Sequence, residues 1–144
     1  MEPLPYFDTL PAGDGWTTWQ LKDTTRFNAS LGPVVVRLDG DKARVRMFPE
    51  REHSNLQDIV HGAVTLALID VGLFAAAHLF GVLGAGPSVT LDLSTQFIGP
   101  GHLGLPLDAE FELLRETRRL VFLRGLVHQD EHKVAAFAGT IRKG

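Results

Sequence analysis

The sequence contains no cysteine. A chain without thiols can build neither a disulfide framework nor a thiolate metal site, and cysteine nucleophile chemistry is closed to it. It also lacks a dense stripe of Lys and Arg. Its 14 basic and 17 acidic residues give a formal charge of −3, so there is no electrostatic footprint for nucleic acid. The start of the chain, Met1-Glu2-Pro3-Leu4-Pro5-Tyr6-Phe7-Asp8, has neither a basic head nor an apolar stretch, and no signal peptide is expected. No internal repeat or linker is visible. His53, His78, His102, His128 and His132 are each read as surface or structural residues, so neither metal nor cofactor is expected. What remains is 144 residues, 44% apolar and 22% charged, which suits one domain over residues 1–144 with one core, in the cytoplasm.

One apolar run stands out, from His61 to Phe80, with a lone carboxylate, Asp70, in its middle. The run from Leu66 to Leu83 is long enough to raise a membrane span. Asp70 and His78 interrupt it, however, and Gly72, Gly81 and Gly84 weaken it. The rest of the chain reads as strands with one apolar face each, which need an interior element to cover. A buried central helix meets both requirements, and no membrane partner is expected.

Trp16, Trp19, Leu21 and Phe27, set among polar residues, predict a short amphipathic helix within an N-terminal segment of about residues 1–30. Val34 to Leu38 and Lys42 to Phe48, joined by Asp39-Gly40-Asp41, predict a β-hairpin. After the helix, period-2 alternation marks strands over 89–97 and 105–113, and turns at 116–119 and 129–132 frame two more over 120–128 and 133–142. Two strands, one long helix and four strands in an antiparallel meander make an α+β fold, a sheet curled around a central helix.

His61 and Asp70 are nine residues apart, half a turn out of phase and roughly 13.5 Å apart along a helix. They point to opposite sides of it, so one copy of the chain does not bring them together, whereas two antiparallel copies about a twofold axis do. The first helical amides, of Gly62 and Ala63, have no intrahelical acceptor and sit at the positive end of the helix dipole. They suit a developing oxyanion. Read alone, each residue also has a plainer use: Asp70 as a carboxylate bonded to hydroxyls, His61 as a cap, Asn55 as an Asx turn, Thr90 as a solvated strand residue.

With Asn55, then His61-Gly62-Ala63 six residues on, then Asp70 nine after the histidine, the sequence resembles the hotdog-fold acyl-CoA thioesterases of the phenylacetate (PaaI-like) group. The strand from Thr90 to Pro100 is similar to that family's first strand after the helix, and the resemblance runs from about Phe27 to the C-terminus. It implies a hotdog fold, an antiparallel sheet wrapped around a long hydrophobic helix. It implies that Asp70 activates water or attacks a thioester carbonyl, that the Gly62 amide of the facing subunit holds the oxyanion, that Asn55 holds water or substrate, and that Thr90 orients Asp70. The catalytic candidates are therefore Asp70, Gly62, Asn55, His61 and Thr90.

The implied partners are an acyl-CoA or related thioester and further copies of the chain, a dimer at least and by family a dimer of dimers. Two positions depart from the pattern: Ala63 replaces the second glycine and Asp58 stands where the family usually has glycine. Arg115, Arg118, Arg119, Arg142 and Lys143 read either as solvated turn charges or as contacts for CoA phosphates. Val71, Leu73 and Phe74 read either as core or as acyl pocket. Two other readings stand beside hydrolysis: a non-catalytic acyl-binding or assembly module, and a hydratase or dehydratase of the same fold.

Overall fold

Alternation decides the sheet. Ala43, Val45 and Met47 are fully buried on one face of a strand whose other face carries Arg44 and Arg46. Leu107, Ala109 and Phe111 repeat the pattern against Asp108, Glu110 and Glu112. In the computed structural model, which describes residues 4–144, these strands form one seven-stranded antiparallel sheet around one helix. The elements are β1 (Phe7–Asp8), β2 (Thr17–Thr18), β3 (Gln20–Leu21), β4 (Val34–Asp39), β5 (Lys42–Met47), α1 (Gly62–Leu79), β6 (Val89–Phe97), β7 (Leu107–Glu116), β8 (Leu120–Gln129) and β9 (His132–Arg142). The sheet order is β2-β4-β5-β7-β8-β9-β6, and β1 pairs with β3 separately.

Only β7, β8 and β9 form a meander. The strand that follows the helix does not join the front of that meander, as the sequence order suggests; β6 crosses to the far edge and pairs with β9, leaving β5 to pair with β7. Alternation fixes which face of a strand is buried but not which strand lies beside it.

The helix lies against the inner face of this sheet. Leu68, Ile69, Leu73, Ala75, Ala76 and Ala77 are fully buried in a core shared with β4, β5, β7, β8 and β9. Glycines set the approach. A Cβ on Gly72 would come within 2.5 Å of the Phe111 ring, and one on Gly139 within 2.9 Å of Leu73, so helix and sheet meet at distances no larger residue allows. By length and composition α1 could cross a membrane, yet here it is the core helix. A less buried stripe of it, Ala63, Leu66, Ala67, Asp70 and Phe74, meets β6 where Thr90 bonds Asp70.

The N-terminal helix is absent from the described residues. Residues 7–21 contain the short strands β1, β2 and β3, and among the described residues a 3-10 turn over Phe27–Leu31 is the only helical piece before α1 besides the turn at Arg51–His53. Gly13, Asp14 and Gly15 all take positive φ, which breaks any helix there. Trp16 and Trp19, three apart, fall on opposite sides of extended chain. Trp19 enters the core and stacks on Phe7 with ring centroids 4.3 Å apart, while Trp16 lies outside the sheet beneath the Arg37 and Arg46 guanidiniums. The outer face is bound by cross-strand ion pairs, including a two-bonded Arg46–Asp108 contact at 2.7 and 2.9 Å.

Candidate active site

The start of α1 is capped by the residue before it. His61 is extended, at φ −64° and ψ 135°, and its Nδ1 accepts the Ala63 N–H at 3.0 Å. An Nδ1 that accepts leaves the hydrogen of the neutral ring on Nε2. The His61 carbonyl accepts the N–H groups of Val64 and Thr65. Of the first-turn amides this leaves one: among the described residues the Gly62 N–H has no acceptor. His61, as N-cap, lies outside the helix, so its helical phase relative to Asp70 does not apply. The separation along the axis does.

Asn55 organises the loop that delivers the chain to this point. Its Oδ1 accepts the N–H groups of Gln57 and Ile59, and its backbone bonds both ways with Asp58 and Ile59, an Asx turn closed by the bridge between Ser54 and Val60. The Asn55 side-chain NH2 makes none of these bonds. Asp58 sits at φ 59°, the left-handed region that glycine enters most freely, which accounts for glycine as the usual residue at that position. The loop and helix start line an open cleft of about 770 Å³, bounded by Arg51, Asn55, Leu56, Asp58 and His61, with Leu56 fully exposed at its rim.

Asp70 is elsewhere. It is half-buried on the stripe facing β6, where Thr90 Oγ1 donates to its Oδ1 at 2.6 Å. It does not line the cleft and lies about 12 Å from Gly62 along the helix axis. The structure therefore joins Asn55, His61 and Gly62 in one group and Asp70 and Thr90 in another. Val71 and Phe74 are partly buried against the core and Leu73 is wholly within it. Arg115, Arg118, Arg119, Arg142 and Lys143 lie at the ends of β7, β8 and β9 and do not line the cleft; Lys143 is tied to Glu116 and to the Arg119 carbonyl.

Two residues of the loop escape sequence reasoning. Arg51 lines the cleft, and His53, two residues on, is buried at 3% exposed. The one local signal was Glu50 three residues before His53, a capping arrangement at the start of a short turn.

Residues 57–136 match the family model described as Thioesterase superfamily. A curated protein of Pseudomonas aeruginosa named "Putative esterase PA0474" is 29% identical over 110 residues, covering 76% of this chain and 81% of that one. The TT0310 protein of Thermus thermophilus superposes with a TM-score of 0.67 at 27% identity, over 82% of this chain and 97% of its own. A mutant form of the phenylacetic acid degradation protein PaaI of the same organism gives a TM-score of 0.67 at 26% identity, over 82% and 98%. This chain shares the hotdog architecture with the two solved structures, one long helix packed on a large antiparallel sheet.

Proposed function

The chain belongs to the thioesterase superfamily, and we propose that it hydrolyses an acyl-CoA or related acyl thioester at a site shared by two copies of the chain. Asp70 either takes a proton from water that attacks the thioester carbonyl carbon, or attacks that carbon itself to form an acyl anhydride that water then cleaves. The Gly62 N–H donates to the carbonyl oxygen as it gains negative charge, and collapse of the tetrahedral intermediate breaks the C–S bond and releases the thiolate. A thioester is an activated acyl donor, so one carboxylate and one positioned amide supply the needed chemistry. The Asn55 side-chain NH2 is left to hold water or substrate at the cleft.

One observation carries this reading: a carboxylate held by a hydroxyl, on the same helix as a first-turn amide with no acceptor. The two stand about 12 Å apart along the axis, too far for one carbonyl to meet both. The outer edge of β6 is unpaired, and Val89, Leu91 and Phe97 are each more than half exposed along it. That edge lies beside the helix stripe bearing Asp70, and it supports a second, twofold-related copy as its cover, with each Asp70 facing the partner's helix start. We take the dimer as the minimum and a dimer of dimers as the full assembly, in the cytoplasm.

A free-thiol assay across short, long and aromatic acyl-CoAs tests the activity. The wild type turns over at least one of them and Asp70→Asn loses most of that rate; hydrolysis of none, or full rate in the variant, refutes the assignment. Mixing Asn55→Ala with Asp70→Asn in equal amounts tests sharing, because each hybrid dimer regains one intact site of its two and, with half of the dimers hybrid, the mixture recovers about a quarter of wild-type activity.

A further inference from the structure

We propose that His53 is a positioning residue, one that fixes where the Gly62 amide points. The inference rests on the reading of that amide as the oxyanion donor. His53 is 3% exposed and closes the short turn Arg51–His53. Its Nδ1 accepts the Glu50 N–H at 2.9 Å and its Nε2 donates to the Ser30 carbonyl at 2.8 Å. Each ring nitrogen has a partner, and the two bonds together require the neutral ring with its hydrogen on Nε2. The His53 carbonyl in turn accepts the His61 N–H at 2.8 Å.

Three stretches of chain thus converge on one buried residue: the 3-10 turn at Phe27–Leu31 and the start of the turn at Arg51–His53 through its imidazole, and the residue just before α1 through its backbone carbonyl. The peptide plane that carries the Gly62 N–H begins at His61. That residue is held on one side through His53 and on the other by its own ring on Ala63. Donor direction matters at an oxyanion site, because a misplacement of about 1 Å costs about a hundredfold in rate. An apolar residue of similar size would fill the space but leave the Glu50 N–H and the Ser30 carbonyl without partners.

Three variants separate positioning from packing. His53→Leu removes both ring bonds. In His53→Asn the Oδ1 can replace Nδ1 toward Glu50, and in His53→Gln the Nε2 can replace the ring donor toward Ser30. Per folded molecule, His53→Leu lowers kcat by about tenfold to a hundredfold with KM within about twofold, and Asn and Gln each recover part of the loss. Hydrogen exchange at the His61 amide speeds up in the same order. Wild-type kcat per folded molecule with unchanged His61 protection overturns the proposal; if His53→Leu does not fold, the Asn and Gln variants decide it on the same two readouts. Absence of hydrolysis by the wild type refutes the proposed function instead, and exchange at His61 then still decides whether His53 holds the helix start.

Discussion

Thr90 donates a 2.6 Å hydrogen bond to Asp70, tying the edge strand β6 to the middle of the core helix. It engages Oδ1, and among the described residues Oδ2 has no hydrogen-bond donor. Thr90→Val keeps the shape and removes the donor, so kcat falls about tenfold while stability changes by about 1 kcal/mol. Thr90→Ser retains activity. Steady-state kinetics with thermal melts check both, and a Val variant with wild-type kcat rules out an orienting role.

Gly62 offers a sharper test of the amide. His61, at φ −64° and ψ 135°, already has the conformation that a residue before proline adopts, and the first helical position tolerates proline. Gly62→Pro therefore deletes one N–H at little structural cost, and kcat drops by about a hundredfold to a thousandfold with the melting temperature maintained. Gly62→Ala places a Cβ 3.4 Å from the Phe97 ring, an ordinary contact, and stays within a few-fold of wild type. Equal activity in the two variants excludes the Gly62 N–H as a donor.

Acid weakens the outer face of the sheet. Burial raises the Glu110 carboxyl, but the Arg44 hydrogen bond and charge, with His128 and Lys42, outweigh it and hold the group below its ordinary value. A value depressed on folding adds stability above the unfolded value, and that stability is lost as pH falls through the folded one. Glu110→Gln is thus less stable near neutrality, by less than about 1 kcal/mol for a partly exposed pair, and the gap closes in the acid range below ordinary glutamate. Urea melts at stepped pH reveal it; a pH-independent gap contradicts the linkage.

The helix–sheet contact has a steric signature. A Cβ at Gly72 meets the Phe111 ring at 2.5 and 2.8 Å, where neighbours are fully buried, so Gly72→Ala destabilises by about 1–3 kcal/mol despite its better helix propensity. Adding Phe111→Leu recovers part of the loss. Simple additivity of the two in chemical denaturation contradicts the clash.

Much of this was legible in residue order. Six strands and the helix follow from alternation and one apolar run, because a sheet with one wet face leaves a period-2 trace and a core helix leaves none of the usual polar stripe. The N-terminal helix misled because Trp16 and Trp19 carry helical spacing, while both rings are buried from opposite sides of a strand. The Asx turn at Asn55 was foreseeable from residue type, and the Asp70–Thr90 bond only from the family resemblance, since Thr90 by itself reads equally as a solvated strand residue. Arg51 and His53 were not. A histidine in a polar loop reads like any surface histidine until the turn at Phe27–Leu31 folds over it, and that contact spans 23 residues.

The pairing of β5 with β7 joins Met47 to Leu107 and Lys42 to Glu112, around the helix and β6. An order of assembly follows. The β7–β8–β9 hairpins close over short turns and form early, whereas the β5–β7 seam must wait for a long loop to close, at a cost in chain entropy. Until that seam forms, the most apolar segment of the chain has lost half its cover. Mutations in β8 and β9 therefore slow folding, and those in β5 mainly speed unfolding, a division that stopped-flow refolding reads directly.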